Sequence, residues 1–168
     1  VLAAKTYAAY YHMLLQLSTE QLVRDYIVLC HGWIPFQQTE VTERVIWRPG
    51  DASPSAVLEH GKPSCSRLQV LAHGTRGGDS FSLLAVRIVT GRQHQIRVHA
   101  AHIGHATVCD GKYSDAGSFH ADRAWCERNF LHRYRLIFRD LSGNEHEVLA
   151  PLPQDLLRAL SSISPVGA

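Results

Sequence analysis

The sequence predicts an α+β fold: a mixed, mostly antiparallel sheet with flanking helices. Three observations carry this. The order of patterns is helix, several strands, one inserted helix, more strands, a final helix. Two β-rich runs, 64–73 and 80–89, are separated by Gly74-Thr75-Arg76-Gly77-Gly78-Asp79, which reads as a hairpin. A helical run at 92–103 opens at Thr90-Gly91 and closes at Gly104.

The elements follow in order. Residues 5–18 (KTYAAYYHMLLQLS) have a helical apolar pattern that groups Leu14 and Leu17 with Tyr7, Tyr10 and Tyr11. Core packing explains this aromatic run better than a base-stacking platform does. Residues 24–30 are strand-like and end at the turn signal His31-Gly32. Residues 33–61, with Pro35, Pro49, Gly50 and Pro54, read as an irregular connection with short strands. In the helix at 92–103, Ile96, Ala100 and Ile103 form the apolar stripe. A loop containing Asp110-Gly111 leads to a strand at 129–139, and Ser142-Gly143-Asn144 turns it into 145–149. Pro151 and Pro153 end the sheet, and a short helix at 155–160 leads into a tail expected to be disordered. No repeat or linker divides the chain, so residues 1–168 read as one domain.

The net charge of +2 does not by itself indicate nucleic acid. Of 17 basic residues, three are Lys (Lys5, Lys62, Lys112) and the other 14 are Arg. Arg is the better group for bidentate phosphate contacts and for stacking on bases, although codon bias gives the same composition. The four cysteines, Cys30, Cys65, Cys109 and Cys126, form no C-x-x-C pair and read as reduced thiols of an intracellular protein. No run approaches the length of a membrane span, and no signal peptide is visible. Val1 is not an initiator Met, so the chain is expected to be a fragment, a processed product or the ordered part of something longer.

The densest polar constellation is Thr90-Gly91-Arg92-Gln93-His94-Gln95-Ile96-Arg97-Val98-His99, followed by Gly104-His105. A helix start offers free N–H groups suited to anions, with Arg92 beside it. A well-capped, solvated helix start with His99 bonded in the core explains the residues equally well. A metal site built from His94, His99, His102, His105 and Cys109 is disfavoured. No two cysteines stand at ligand spacing, and the histidines span much of the helix circumference. On a regular strand Arg133, Arg135 and Arg139 would share one face, either facing RNA or solvated.

This constellation resembles the T-G-R-x-H-Q-I-R-x-H segment of RluA-type RNA pseudouridine synthases, and VCDGKYS is similar to the family's G-D-x-x-Y. Arg24-Asp25-Tyr26 resembles its K-x-Y strand, residues 61–66 (GKPSCS) resemble G-K-x-A-x-T, residues 128–132 (RNFLH) resemble R-x-x-L-H, and APLPQDL resembles the closing segment. The resemblance implies isomerisation of uridine to pseudouridine in rRNA or tRNA, in the cytoplasm or an organelle such as the mitochondrion. It implies no cofactor, no metal and no membrane, and RNA as the partner; protein partners are unknown. It implies that Tyr26 packs against the flipped base and takes the C5 proton, that Arg92 holds the catalytic aspartate, and that Leu131 lines the apolar wall of the pocket. Gln95, His94, Arg97 and His99 support the junction or contact backbone, and Gln95, His94 and Arg97 are expected RNA-binding residues together with Arg133 and Arg135 of the strand pattern. The opening VLAAKT resembles the stretch directly after H-R-L-D-x-x-T-S-G, so the nucleophilic Asp is expected to be absent from this chain. Arg24 departs from the usual Lys, and Cys109 from Gly. The alternative is a catalytically inactive relative that binds RNA or serves ribosome assembly.

Overall fold

The computed structural model describes residues 2–47 and 54–166. Helix α1 (Tyr7–Ser18) precedes β1 (Val23–His31), the short strands β2 (Glu40–Val41), β3 (Val45–Ile46) and β4 (Ala56–Val57), and the long hairpin β5 (Ser66–Arg76) and β6 (Asp79–Ile88). Then come α2 (Gln95–His102), α3 (Ala116–Arg123), β7 (Leu131–Arg139), β8 (Glu145–Leu149), α4 (Gln154–Ser161) and β9 (Ser164–Pro165). The main sheet runs β2-β5-β6-β1-β7-β8, with β9 also on β5, and its pairings are antiparallel. The expected α+β class is the one observed.

Strand β1 occupies the middle of the sheet because alternate residues are apolar toward two different layers. Val28 and Cys30 join Leu84, Val86, Ile88, Val70 and the α2 residues Ile96 and Ala100 in one core. Leu29 joins Phe81, Val108, Phe130 and the α4 residues Leu156 and Ala159 in the other. Successive strand side chains point to opposite faces, so one strand serves both layers.

Several expectations are corrected. The hairpin turn is tighter than the six residues from Gly74 to Asp79, since Gly74, Thr75 and Arg76 still pair with Phe81, Ser80 and Asp79. Only Gly77 and Gly78 turn the chain, at φ of 61° and 93°, values that favour glycine. Helix α2 starts at Gln95 rather than at 92, because His94 sits at φ 54° in the left-handed region. The segment after α2 is not all loop. It contains α3, whose N-cap Asp115 accepts from the Ser118 amide at 2.9 Å. The tail is not free, as β9 pairs with Gly74 and Thr75 and the Val166 amide donates to the His73 carbonyl. Pro49 and Gly50 lie outside the described residues, as do Val1 and the last two residues of the tail.

The aromatic run of α1 is not core. Tyr7 is 84% exposed and Tyr11 64%, and the one buried side chain of the helix is Gln16. That amide acts as a strand partner: it donates to the Arg139 carbonyl at 2.7 Å and accepts from the Arg139 amide at 2.8 Å, fixing α1 to the end of β7. The three arginines of β7 do not share a face. A bulge between Asp25 and Tyr26 in the β1–β7 pairing leaves Tyr134 as the extra residue, so Arg133 opposes Tyr26 while Arg135 opposes Asp25.

Helix α4 seals the second core through Leu156, which is fully buried, whereas its neighbour Leu157 is 43% exposed. Leu156→Ala is expected to cost about 2 to 5 kcal/mol, and Leu157→Ala less than about 0.5 kcal/mol. Urea denaturation of the two variants measures both.

Candidate active site

The sheet face that carries Tyr26 gathers several of the expected residues. Tyr26 and Leu131 are half-buried and rest on the core beneath α2, with Leu68 beside them. Leu131 opposes Val28 and Arg133 opposes Tyr26 across the β1–β7 pairing. The result is an apolar shelf with a phenol hydroxyl at one end and an exposed guanidinium next to it.

Arg24 lies two residues before Tyr26 on the same face and was not among the expected site residues, although its place in the R-x-Y pattern could have flagged it. It is only 8% exposed, and its Nη2 donates to the Val89 carbonyl at 3.3 Å. Burial pulls its pKa down, the nearby Arg133 adds to this, and Tyr26 opposes it. Gly91 lies directly over this guanidinium: a Cβ there would meet Arg24 Nη1 at 2.6 Å. A side chain at this Gly would therefore push the Arg24 guanidinium aside.

The polar residues of the junction divide into three sets. The first is a closed buried network. Gln95 Oε1 accepts from the Thr90 hydroxyl at 2.8 Å and the Arg92 amide at 3.0 Å. Its Nε2 donates to the Cys65 carbonyl at 2.9 Å and to Ser66 Oγ at 3.1 Å. His99 Nε2 faces the Glu43 carbonyl at 3.0 Å, so Nε2 carries the proton, and Nδ1 accepts from Ser66 Oγ at 3.0 Å. The network joins β5, the chain after β6, α2 and the loop after β2. Gln95 and His99 are thus structural, and burial drives the His99 pKa down despite the favourable Glu43 carbonyl.

The second set lines the other side of α2. Arg97 makes a two-point pair with Asp110, its Nε at 2.7 Å from Oδ2 and its Nη2 on Oδ1. Asp110 is fully buried and also accepts from the Thr107 hydroxyl and the Lys112 and Tyr113 amides. Burial works to raise its carboxyl, but Arg97 and these donors outweigh it and hold it below the usual carboxylate range. Arg97 stands over the Tyr113 ring at 5.0 Å, and His94 Nδ1 meets the Tyr113 hydroxyl at 3.0 Å. This cluster abuts the start of β7, where Asn129 donates to Thr107 Oγ1 and the Val108 carbonyl. Cys109, at the position where the family pattern has Gly, adopts φ 56° and donates its amide to Asp122 at 2.6 Å.

The third set is Arg92 alone, whose Nε and Nη2 both donate to the Pro63 carbonyl at 3.3 and 3.0 Å. Arg135 belongs elsewhere, on the opposite face of the sheet with Asp25 and Glu147. The histidines do not converge: His94 serves Tyr113, His99 the core, and His105 the His31 carbonyl. Among the described residues no three His, Cys, Asp or Glu side chains gather as metal ligands, and no helix is long and apolar enough to cross a membrane.

Comparison with known proteins gives this geometry its context. The family model described as RNA pseudouridylate synthase matches residues 1–102. Ribosomal large subunit pseudouridine synthase D of Escherichia coli (strain K12) is 30% identical over 169 residues, covering 95% of this chain and 50% of that protein. The chain therefore spans about half the length of the curated relatives it matches. Among solved structures, human RNA pseudouridylate synthase domain containing 1 superposes with a TM-score of 0.77 at 28% identity, covering 97% of this chain and 67% of that one. Human RNA pseudouridylate synthase domain containing 4, at TM-score 0.71 and 18% identity, shares the fold.

Neutral His99 has a testable consequence. Its folded-state pKa lies below the ordinary 6.5, so its contribution to stability is complete above that value and is lost as pH falls below it. The stability gap between the unmodified chain and His99→Gln is expected to narrow as pH is lowered below 6.5. Chemical denaturation at each pH reads the gap; a gap independent of pH means folding leaves the His99 pKa unshifted, and a gap that widens as pH falls means His99 is charged in the folded chain.

Proposed function

Because the chain belongs to the RNA pseudouridylate synthase family, with an RluA-type sequence, we propose that it supplies the base-binding half of a site that isomerises uridine to pseudouridine in rRNA or tRNA. The observation that carries the reading is the shelf of Tyr26 and Leu131 between Arg133 and the buried Arg24. An extruded pyrimidine needs an apolar surface to stack on and cations for its flanking phosphate. The shelf offers both on one face of β1 and β7.

The chemistry breaks the N1 glycosidic bond, turns the base and rejoins it through C5; C5 gives up its proton and N1 takes one up, so the product is an isomer. In this reading Tyr26 stacks on the base, and its hydroxyl takes that proton. Arg92 uses one edge on Pro63 and has further N–H groups to orient the nucleophilic carboxylate. Leu131 keeps water from the base. Gln95 holds the junction, Arg97 and His94 hold the Asp110–Tyr113 side of the cleft, and Arg133 meets phosphate. No step calls for a cofactor or a metal.

One observation favours a second reading, an RNA-binding relative that does not catalyse. The carboxylates nearest these elements are engaged already. Asp25 points away from Tyr26 and is held by Arg87 and Arg135, while Asp110 is held by Arg97. On either reading residues 1–168 by themselves are expected to give no turnover.

In a longer protein that contains this chain and an aspartate delivered to the shelf, Tyr26→Phe keeps the ring and removes the hydroxyl. RNA binding is expected to survive while single-turnover product formation falls by roughly 10² to 10⁴. Undiminished turnover would remove Tyr26 from the proton transfer. Pseudouridine formation by residues 1–168 alone would show that the nucleophile lies within them.

A further inference from the structure

The opposite face of the sheet carries a second charged row that the proposed reaction does not use. Arg67 on β5 lies directly across from Arg87 on β6, Arg87 from Asp25 on β1, and Asp25 from Arg135 on β7. The side chains border a groove of about 320 Å³ lined by Asp25, Arg67, Gln69, Ala85, Arg87 and Tyr134. Neither core cluster extends over this end of the sheet face.

The charges here are arranged rather than merely present. Asp25 grips Arg87 through two bonds of 2.7 and 2.9 Å and touches Arg135 at 3.2 Å, and Arg135 is fixed further by Glu147 at 2.5 Å. Arg67 has no carboxylate within ion-pair distance among the described residues, although Glu40 opposes it on β2. Two guanidinium groups directly across a strand pair repel each other. An anion between Arg67 and Arg87 would turn that repulsion into attraction, and the Asp25 clamp already holds the Arg87 fork in place. The bulge in β7 adds the remaining part: it shifts the register so that Arg135 faces this side while Arg133 faces the other, and it places Tyr134 on the rim of the groove.

Arginines beside an accessible aromatic ring are the means by which proteins hold single-stranded nucleic acid, the cations on the backbone and the ring against a base. We infer that this groove is a second RNA contact on the face opposite Tyr26. A single-stranded segment lays a phosphate between Arg67 and Arg87 and a base against Tyr134. The inference rests on the reading that the chain acts on RNA, and it predicts a footprint larger than the target nucleotide.

The test uses the 168-residue chain and a labelled oligouridylate, with binding followed by fluorescence anisotropy over a range of salt concentrations. Arg67→Ala and Arg67→Glu are expected to weaken binding and to lower the salt slope by about 0.7 for each phosphate that is no longer neutralised. Tyr134→Leu is expected to weaken binding by roughly 5- to 150-fold, the range for removing one base stack, with the slope unchanged. Arg133→Ala, on the Tyr26 face, is the comparison. If it weakens binding while the groove variants match the unmodified chain in affinity and slope, the groove is not an RNA site and the proposed function stands. If the unmodified chain binds no RNA, both fall. Photocrosslinking of the unmodified chain to RNA carrying 4-thiouridine is independent of variant folding. Adducts at Arg67, Gln69 or Tyr134 are expected, and adducts confined to the Tyr26 face would overturn the inference.

Discussion

The alternation of side chains along β1 is the constraint on which the rest of the molecule depends. Tyr26, Val28 and Cys30 face the core beneath α2, with Arg24 on the same face, while Ile27 and Leu29 face the layer built by α4 and the segment before β7, with Asp25 on that face beyond the layer's edge. A strand with two buried faces has no freedom to slip, since a shift by one residue would exchange every member of the two sets. The same alternation separates the two chemistries. Tyr26 stands over an apolar core with a buried cation beside it, and its neighbour Asp25 holds two arginines, Arg87 and Arg135, on the reverse side. The Tyr134 bulge in β7 changes the register against β1, and it decides which arginine accompanies which face.

The junction between β6 and α2 shows how a motif rich in polar groups becomes structural. The side chains of Thr90, Gln95, Ser66 and His99 bond to one another and to backbone, so the buried amide and imidazole gain partners for the hydration they lose. Because the network ties β5 to α2, it also sets the height of α2 above the sheet, and with it the positions of Arg97 and His94. The residues that read as donors for a ligand divide accordingly. Gln95 and His99 are consumed inside, while Arg92, His94 and Arg97 remain at the edge.

Much of this was legible in the sequence, where local physics decides the outcome. The strand patterns, the Gly77-Gly78 turn and the Gly104 helix end follow from alternation and from backbone freedom, and they appear as read apart from the length of the turn. What the pattern could not show depends on partners distant in sequence. The bulge follows from how β7 meets β1, so the regular alternation of Arg133, Arg135 and Arg139 gave a shared face that does not exist. Helix α3 is eight residues long with a weak apolar stripe, and its Asp115 cap was the one signal available. The α1 tyrosines look like core residues to any reading of periodicity, yet the helix is held by Gln16 reaching a strand end 123 positions away. At the site, Tyr26 and Leu131 were found by motif, but the burial of Arg24 beneath Gly91 is a tertiary fact.

The arginine bias of the composition also gains a physical reading, and it bears on how the two faces differ. On the reverse face, Arg87 and Arg135 are each held by a carboxylate, so their planar forks are fixed before any ligand arrives and little entropy remains to be lost on binding. On the Tyr26 face, Arg24 is fixed by burial instead, with a carbonyl rather than a carboxylate as its partner. Burial lowers the Arg24 pKa, and a guanidinium starts so far above neutrality that it keeps its charge there. The two faces thus reach preorganised cations by opposite routes. One uses ion pairs that salt and neighbouring charges can loosen, and the other uses a low-dielectric setting that strengthens the field acting on whatever lies against Tyr26.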